Sequence, residues 1–293
     1  MVRSIWWAAA GMTSQQTIVD MFSNNLANVN TTGYKMETTH FKSLLYQQLQ
    51  AKTTSANGET KPVNAQVGLG SRVSAVTSQY VQGSVNKTDS DTDFAIVGNG
   101  FFGVVGEDGQ TYYTRNGNFG FSIATEGYML CTSEGLPVLS SDGNELVLGP
   151  EYDPTKITVD GDGNLLYPSE ENNNNPTAIG LKIGLFQFAN PAGLDKTGDS
   201  LLMETEASGI ALNEDIDEVG KKSTLKQGYL EASNVNVATE MVNLITAQRA
   251  YELCSKAITT SDTMMEQANE RYNQRIKFVI FKRYLYQFNN KCA

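Results

Sequence analysis

The stretch Ser233–Glu270, SNVNVATEMVNLITAQRAYELCSKAITTSDTMMEQANE, decides how the chain is organised. It holds no Gly or Pro. Asn236 is placed to cap a helix N-terminus, with Glu240 in the first turn, where the helix dipole favours an acid. With Met241 as an a position, Met241, Leu244, Gln248, Tyr251, Ser255, Ile258, Asp262 and Met265 fall on a and d, a 3-4 spacing held for four heptads. Gln248, Ser255 and Asp262 make that seam partly polar, so the stripe needs a partner to bury it. At the opposite end Ile5, Ala8, Met12, Gln15, Val19, Phe22, Leu26 and Val29 repeat at the same spacing. Gly33 follows as a stop signal, with Asn28 and Asn30 loosening the last turn. Periodicity leaves two readings open: two ordinary core helices of one globular domain, or a coiled coil of the two ends.

Between the ends the pattern changes. Phe41, Leu44, Leu45 and Leu49 suggest a short amphipathic turn or two of helix. Lys52–Lys61 is polar, with Asn57-Gly58 as a turn signal, and Val63–Gly70 is turn-rich and extended. Residues 31–71 therefore read as an arm or linker, or more simply as a solvated loop. From 72 to 222, short runs rich in Val, Ile, Phe and Tyr are cut by Asp108-Gly109, Asn116-Gly117, Glu126-Gly127, Asp142-Gly143 and Asp162-Gly163. Strands at this spacing imply a sandwich or open barrel.

Several function classes fall away. A net charge of -10 argues against a nucleic-acid partner. Cys131, Cys254 and Cys292 are scattered and His40 is the one histidine, so neither a zinc site nor a disulfide framework is supported. Ile5–Ala10 is too short for a secretory apolar region, and no run reaches the ~18 apolar residues of a membrane span. Gly98–Gly103 (GNGFFG) matches GxGxxG, but Val104-Val105 and an Asp-Gly turn follow where a dinucleotide site needs a helix. Asp160, Asp162, Asn164 and Glu171 have calcium-loop spacing, yet Leu165 stands where that loop requires Gly, and strand-like segments flank it; a β-turn is the better reading. Asn172–Asn175 is a polar loop tract ended by Pro176. No GxSxG or HExxH is present.

Ser23–Lys35 (SNNLANVNTTGYK) and Tyr229–Glu252 (YLEASNVNVATEMVNLITAQRAYE) resemble the two terminal signatures of the flagellar rod and hook protein family, NNLANVxTxGxK and SNVNxxxEMVxLIxxQRAYE. They stand at opposite ends in the order the family requires. Thr92–Val105 (TDFAIVGNGFFGVV), Tyr113–Phe119 (YTRNGNF), Gln187–Leu194 (QFANPAGL) and Gly198–Gly209 (GDSLLMETEASG) extend the resemblance. Phe41–Leu49 and Gln66–Val73 resemble, within the family, the members of the distal rod.

The resemblance implies an α+β fold: long N- and C-terminal helices pairing as a coiled coil, flanking an extended linker and a central all-β domain. Residues 1–30 and 233–270 would form the paired assembly core, 31–71 and 223–232 the linker or arm, and 72–222 the β domain. Family members end near Asn269. Arg271–Ala293, with six basic residues and six aromatics, is a departure: either a surface-binding tail or a reading-frame artefact. The assembly residues implied are Ile5, Met12, Val19, Phe22, Asn24, Asn25, Leu26, Asn28 and Gly33 at one end. At the other they are Asn234, Asn236, Met241, Leu244, Gln248, Tyr251 and Ile258. The implied function is structural, with no reaction and no cofactor: a subunit of a stiff helical tube carrying torque from motor to hook. Implied partners are copies of the chain in a helical homopolymer, the proximal rod and hook proteins, the flagellar type III export apparatus (without a cleaved signal peptide) and the outer ring bushing where present; nucleic acid is not among them. A proximal rod or hook subunit is the nearest alternative, and a secreted β-domain glycan binder the alternative from another class. The terminal segments are expected to order only on assembly, because Trp6, Trp7 and Ile18 lie off the seam and need cover that one partner helix does not give.

Overall fold

The computed structural model describes residues 2–50, 65–124, 127–168, 176–217 and 220–289. The Lys52–Lys61 stretch, Glu126, Glu171, the Asn172–Asn175 tract and Cys292 lie outside them. The chain divides into two compact units. One comprises Met1–Ser23, Thr39–Val76 and Met241–Ala293; the other comprises Asn24–Thr38 and Thr77–Glu240. The helices are α1 (Val2–Ala27) and α2 (Val237–Asn289).

In the first unit, Ser4 Oγ lies 3.2 Å from Ser261 Oγ. A Cβ on Gly11 would meet Cys254 Sγ at 3.0 Å. One heptad forward along α1 thus matches one heptad back along α2, and these segments run antiparallel. Ala8 and Ala247 are buried, and Leu244, Cys254, Ile258, Ser261 and Met265 are half-buried. Met241, Gln248 and Asp262, expected on the seam, are exposed. The inward row is set one residue earlier, at Ala247, Cys254 and Ser261. Small side chains let two helix backbones approach, and long ones at the same height do not fit between them.

The helical turn expected around Phe41–Leu49 is instead two strands, β1 (Glu37–Ser43) and β2 (Tyr46–Gln50). β2 pairs antiparallel with β3 (Ala65–Gly68), matching Tyr46 to Gly68 and Gln47 to Val67. β1 pairs with β4 (Ser71–Ser78). Thr38, Thr39 and Phe41 are β-prone, and ladder partners outweigh a weak helical period.

The remaining strands are β5 (Val85–Lys87), β6 (Phe94–Val97), β7 (Phe101–Val105), β8 (Thr111–Thr114), β9 (Phe119–Ala124), β10 (Gly127–Thr132), β11 (Val147–Leu148), β12 (Thr158–Val159), β13 (Asn164–Pro168), β14 (Pro176–Lys182), β15 (Leu185–Gln187), β16 (Asp195–Gly198), β17 (Leu201–Met203), β18 (Leu212–Asn213), β19 (Thr224–Gln227) and β20 (Tyr229–Glu231). The largest sheet has the order β16-β17-β8-β7-β15-β18, with every pairing antiparallel. β7 is its pivot. Side chains alternate across a strand, so Phe102 and Val104 enter one core with Leu130, Leu146 and Ile183, while Phe101 enters a second with Tyr113, Phe186 and Phe188. Gly103 shares the second face because a Cβ there would meet Phe186 at 2.6 Å. β7 begins inside the GxGxxG match, at Phe101, so a strand stands where a dinucleotide site needs a helix. Asp160–Asn164 closes the β12–β13 hairpin, with Gly163 N donating to Asp160 O at 2.9 Å.

α2 continues through Arg271 to Asn289, so the basic aromatic segment carries on as helix. Among the described residues, no helix is long and apolar enough to cross a membrane.

Candidate functional site

The two signature segments are joined by buried side chains. Asn25, at the last turns of α1, is fully buried. Its Nδ2 donates to Glu37 O at 3.0 Å and to Glu240 Oε2 at 3.0 Å. Its Oδ1 accepts from Glu37 N at 2.9 Å and from the Tyr34 hydroxyl at 3.1 Å. Both donors and both lone-pair directions of the amide are therefore used. Burial, then the charges of Glu37 and Glu240, push the Tyr34 hydroxyl well above the ordinary tyrosine range, so it stays a donor. Glu240 stands in the first turn of α2, whose N-terminus Asn236 caps by accepting from Thr239 N at 3.2 Å.

A second cluster gathers three charged groups from distant segments. Lys35 Nζ donates to Glu231 Oε1 at 2.6 Å and to Val81 O at 2.9 Å. Glu231 Oε1 also accepts from Gly83 N at 2.8 Å, and Glu231 Oε2 lies 3.6 Å from Arg115 Nη1. Arg115 Nη2 donates to Gly98 O at 2.7 Å, and its guanidinium sits over the Phe101 ring. The three side chains are at most 4% exposed, and two cations face one carboxylate. Burial, then repulsion by Arg115, lowers the Lys35 pKa, against the pull of Glu231. Burial likewise lowers that of Arg115. Gly33 closes the turn above them. Its N donates to Glu231 O at 2.8 Å, its φ is +71°, and a Cβ there would meet the Arg115 carbonyl at 2.7 Å. Asn234 stitches from the other side, accepting from Met36 N at 2.7 Å and donating to Gln79 O at 2.9 Å.

The expected assembly residues therefore fall into two groups. Asn25, Gly33, Asn234 and Asn236 make bonds within the chain, as does Asn28, whose Nδ2 donates to Asn24 O at 3.0 Å. Asn24 is exposed and reaches Glu37 Oε2 at 3.3 Å. Ile5, Met12, Val19, Phe22, Leu26, Leu244 and Ile258 are half-buried, while Met241, Gln248 and Tyr251 are exposed. Beside them the first unit presents a bare apolar set: Trp6 is 72% exposed, Leu253 69%, Val242 60% and Ile245 53%. Periodicity missed Lys35, Arg115, Glu231 and Glu240 as a group. The available signal was a lone charged residue inside each family-like segment: Lys35 in TTGYK, Arg115 in YTRNGNF and Glu231 in YLEASN.

Among the described residues, no three His, Cys, Asp or Glu side chains gather closely enough to hold a metal. The arrangement offers buried polar joints and exposed apolar helix surface.

Comparison with known proteins agrees with that character. Family models described as flagella basal body rod protein, flagellar hook protein FlgE/F/G D1 domain and flagellar basal body rod FlgEFG protein C-terminal match residues 7–35, 95–167 and 226–271. The flagellar basal-body rod protein FlgG of Borreliella burgdorferi is 41% identical over 277 residues, covering 94% of this chain and all of that one. The protein of the same name from Buchnera aphidicola subsp. Schizaphis graminum is 38% identical over 92% of this chain and all of that one. That of Bacillus subtilis is 33% identical over 91% of this chain and 98% of that one.

Proposed function

Because the chain belongs to the flagellar basal-body rod protein family and is a structural subunit of the distal rod, we propose that α1 and α2 pair as an antiparallel coiled coil whose outer apolar face is buried by further copies of the chain. The product is a stiff helical tube that passes torque from motor to hook. Proximal rod and hook proteins adjoin it at its two ends, and an outer ring bushing surrounds it where one exists. The chain reaches the basal body through the flagellar type III apparatus without cleavage of a signal peptide, and it catalyses no reaction.

The exposure of Trp6, Val242, Ile245 and Leu253 carries this reading. Fully burying a side chain of this kind stabilises by about 1.5–3 kcal/mol. A row of them left in water favours association, with many copies supplying cover that one partner helix does not. The same need accounts for terminal segments that order on assembly while the β strands are folded throughout.

Val242→Glu with Ile245→Glu tests the polymer. Electron microscopy of the purified full chain should find rods with the native sequence and dispersed particles with the variant. Rods of normal length from the variant would overturn the proposal. Amide hydrogen exchange tests the ordering: residues 1–30 and 236–270 should exchange freely in dilute monomer and slowly in rods. Strong protection of Met241–Ile258 in the monomer would instead favour two ordinary core helices.

A further inference from the structure

Arg271–Asn289, the last part of α2, holds five cations and no acid, in a chain whose net charge is -10. We propose that this stretch docks on a second copy of the chain, its basic stripe lying against an acidic stripe on the neighbour's α2. The contact rests on the reading that copies pack side by side in a tube, and it names the surfaces by which two α2 helices meet.

Spacing comes first. A turn of about 100° per residue puts Asp262, Glu266 and Glu270 on one face of α2, and Arg271, Arg275 and Lys282 about 160° away on the opposite face. Lys277 and Arg283 lie outside the basic stripe. None of these residues has an opposite charge three or four positions away in the sequence. Charges at that spacing are instead alike: Asp262 with Glu266, Glu266 with Glu270, and Arg271 with Arg275. Like charges so placed destabilise a helix. Earlier in α2 the pattern is different, and Arg249 meets Glu252 at 2.8 Å, the one ion pair on this helix among the described residues. Asp262, Glu266, Glu270 and Arg271 are exposed. Nor does α1 supply partners. Ser4 stands opposite Ser261 and α1 begins at Val2, so α2 runs past its end soon after Ser261. Arg3, the one cation of α1, forms no ion pair among the described residues.

The opposed faces decide the partner. A copy that meets its neighbour through the acidic stripe still offers the basic one, so the contact repeats without closing on a pair, as an open helical array requires. Copies that share one axis hold their α2 helices parallel. Sliding one helix by about 14 Å along the other then sets Arg271 and Arg275 level with Asp262 and Glu266. An anionic membrane fits less well. A helix lying in a bilayer surface keeps its apolar residues on one side, whereas Ile276, Val279, Phe281 and Leu285 are spread round α2.

The test is the critical concentration for rod formation by the purified full chain, read by sedimentation. Arg275→Glu with Lys282→Glu reverses the basic stripe, and Glu266→Lys with Glu270→Lys reverses the acidic one. Each pair of substitutions should raise the critical concentration severalfold. An equimolar mixture of the two reversed chains should bring it back toward the native value, because each then meets an opposite stripe. The gap between native and reversed chains should also close as sodium chloride screens the pairs. An unchanged critical concentration in the reversed chains, no recovery in the mixture, or a gap that salt leaves in place overturns the proposal. Native chains that form no rods refute the polymer itself, whereas rods from every variant alike refute only the pairing of stripes. Sedimentation of the native chain with phosphatidylglycerol vesicles, lost on reversing the basic stripe while the critical concentration stays put, would assign that stripe to a membrane and overturn the proposal.

Discussion

Glu231→Gln puts the buried cluster to its hardest test. The substitution keeps the shape of the side chain and removes the carboxylate ion-paired with both Lys35 and Arg115. Glu231 is 1% exposed, so water does not take its place. What remains is two buried cations with a neutral amide between them. Breaking a buried pair by removing one partner costs about 3–5 kcal/mol. For a unit of this size each kcal/mol moves the thermal midpoint by about 2–4 °C, so the midpoint should fall by about 6–20 °C. Lys35→Met alone should cost less. It loses a charged hydrogen bond worth about 1.5–3 kcal/mol but also removes the repulsion from Arg115. In the double variant Arg115 loses its partner but also the repulsion of Lys35, and the cost should fall short of the two single costs combined by at least about 2 kcal/mol. Urea unfolding followed by near-ultraviolet circular dichroism of the buried tyrosines measures all three. A Glu231→Gln cost below about 1 kcal/mol, or simple additivity, would refute the electrostatic reasoning.

Gly33→Ala should destabilise by about 2–4 kcal/mol, because φ is +71° and the new methyl meets the Arg115 carbonyl; a change under about 0.5 kcal/mol in the same unfolding assay would contradict this. Gly11→Leu should force α1 off Cys254 and speed labelling of that thiol severalfold in assembled rods, whereas an unchanged labelling rate would show that the apposition does not hold there. Burial pushes Tyr80 and Tyr113 up to about 12. The folded state keeps these protons where the unfolded chain releases them. Their stabilisation is therefore fully present below about pH 10 and lost as pH rises to about 12, by up to about 2.7 kcal/mol per tyrosine. Tyr113→Phe should remove its share of that slope, and an identical pH profile for the variant would exclude Tyr113 as a cause.

How far the sequence could be read depended on whether a feature belonged to one element or to several. The Asn236 cap is local and was visible. So were Asp108-Gly109, Asp142-Gly143 and Asp162-Gly163, whose glycines all take positive φ. Asn116-Gly117 looks the same in sequence, yet Gly117 is there for a different reason: a Cβ would strike Phe94 O at 1.7 Å, a backbone crossing that no local pattern announces. The seam of α2 was placed half a step off because heptad reading rewards large apolar residues. Close antiparallel approach selects Ala247, Cys254 and Ser261 and turns Met241 outward. The Lys35–Glu231–Arg115 cluster was beyond reach, since each residue comes from a separate segment and none shows its partner.

The bond between Asn25 and Glu240 means that the chain leaves α1 and enters α2 at neighbouring points. The second unit, Asn24–Thr38 with Thr77–Glu240, is in effect a cassette with adjacent ends. Such a segment can gain or lose length at its hairpin tips, or be exchanged for another, while the helices that begin and end it keep their spacing. Turns such as Asp142-Gly143 can then change without cost to that junction, whereas a change at Asn25, Tyr34, Glu37 or Glu240 unties its neck.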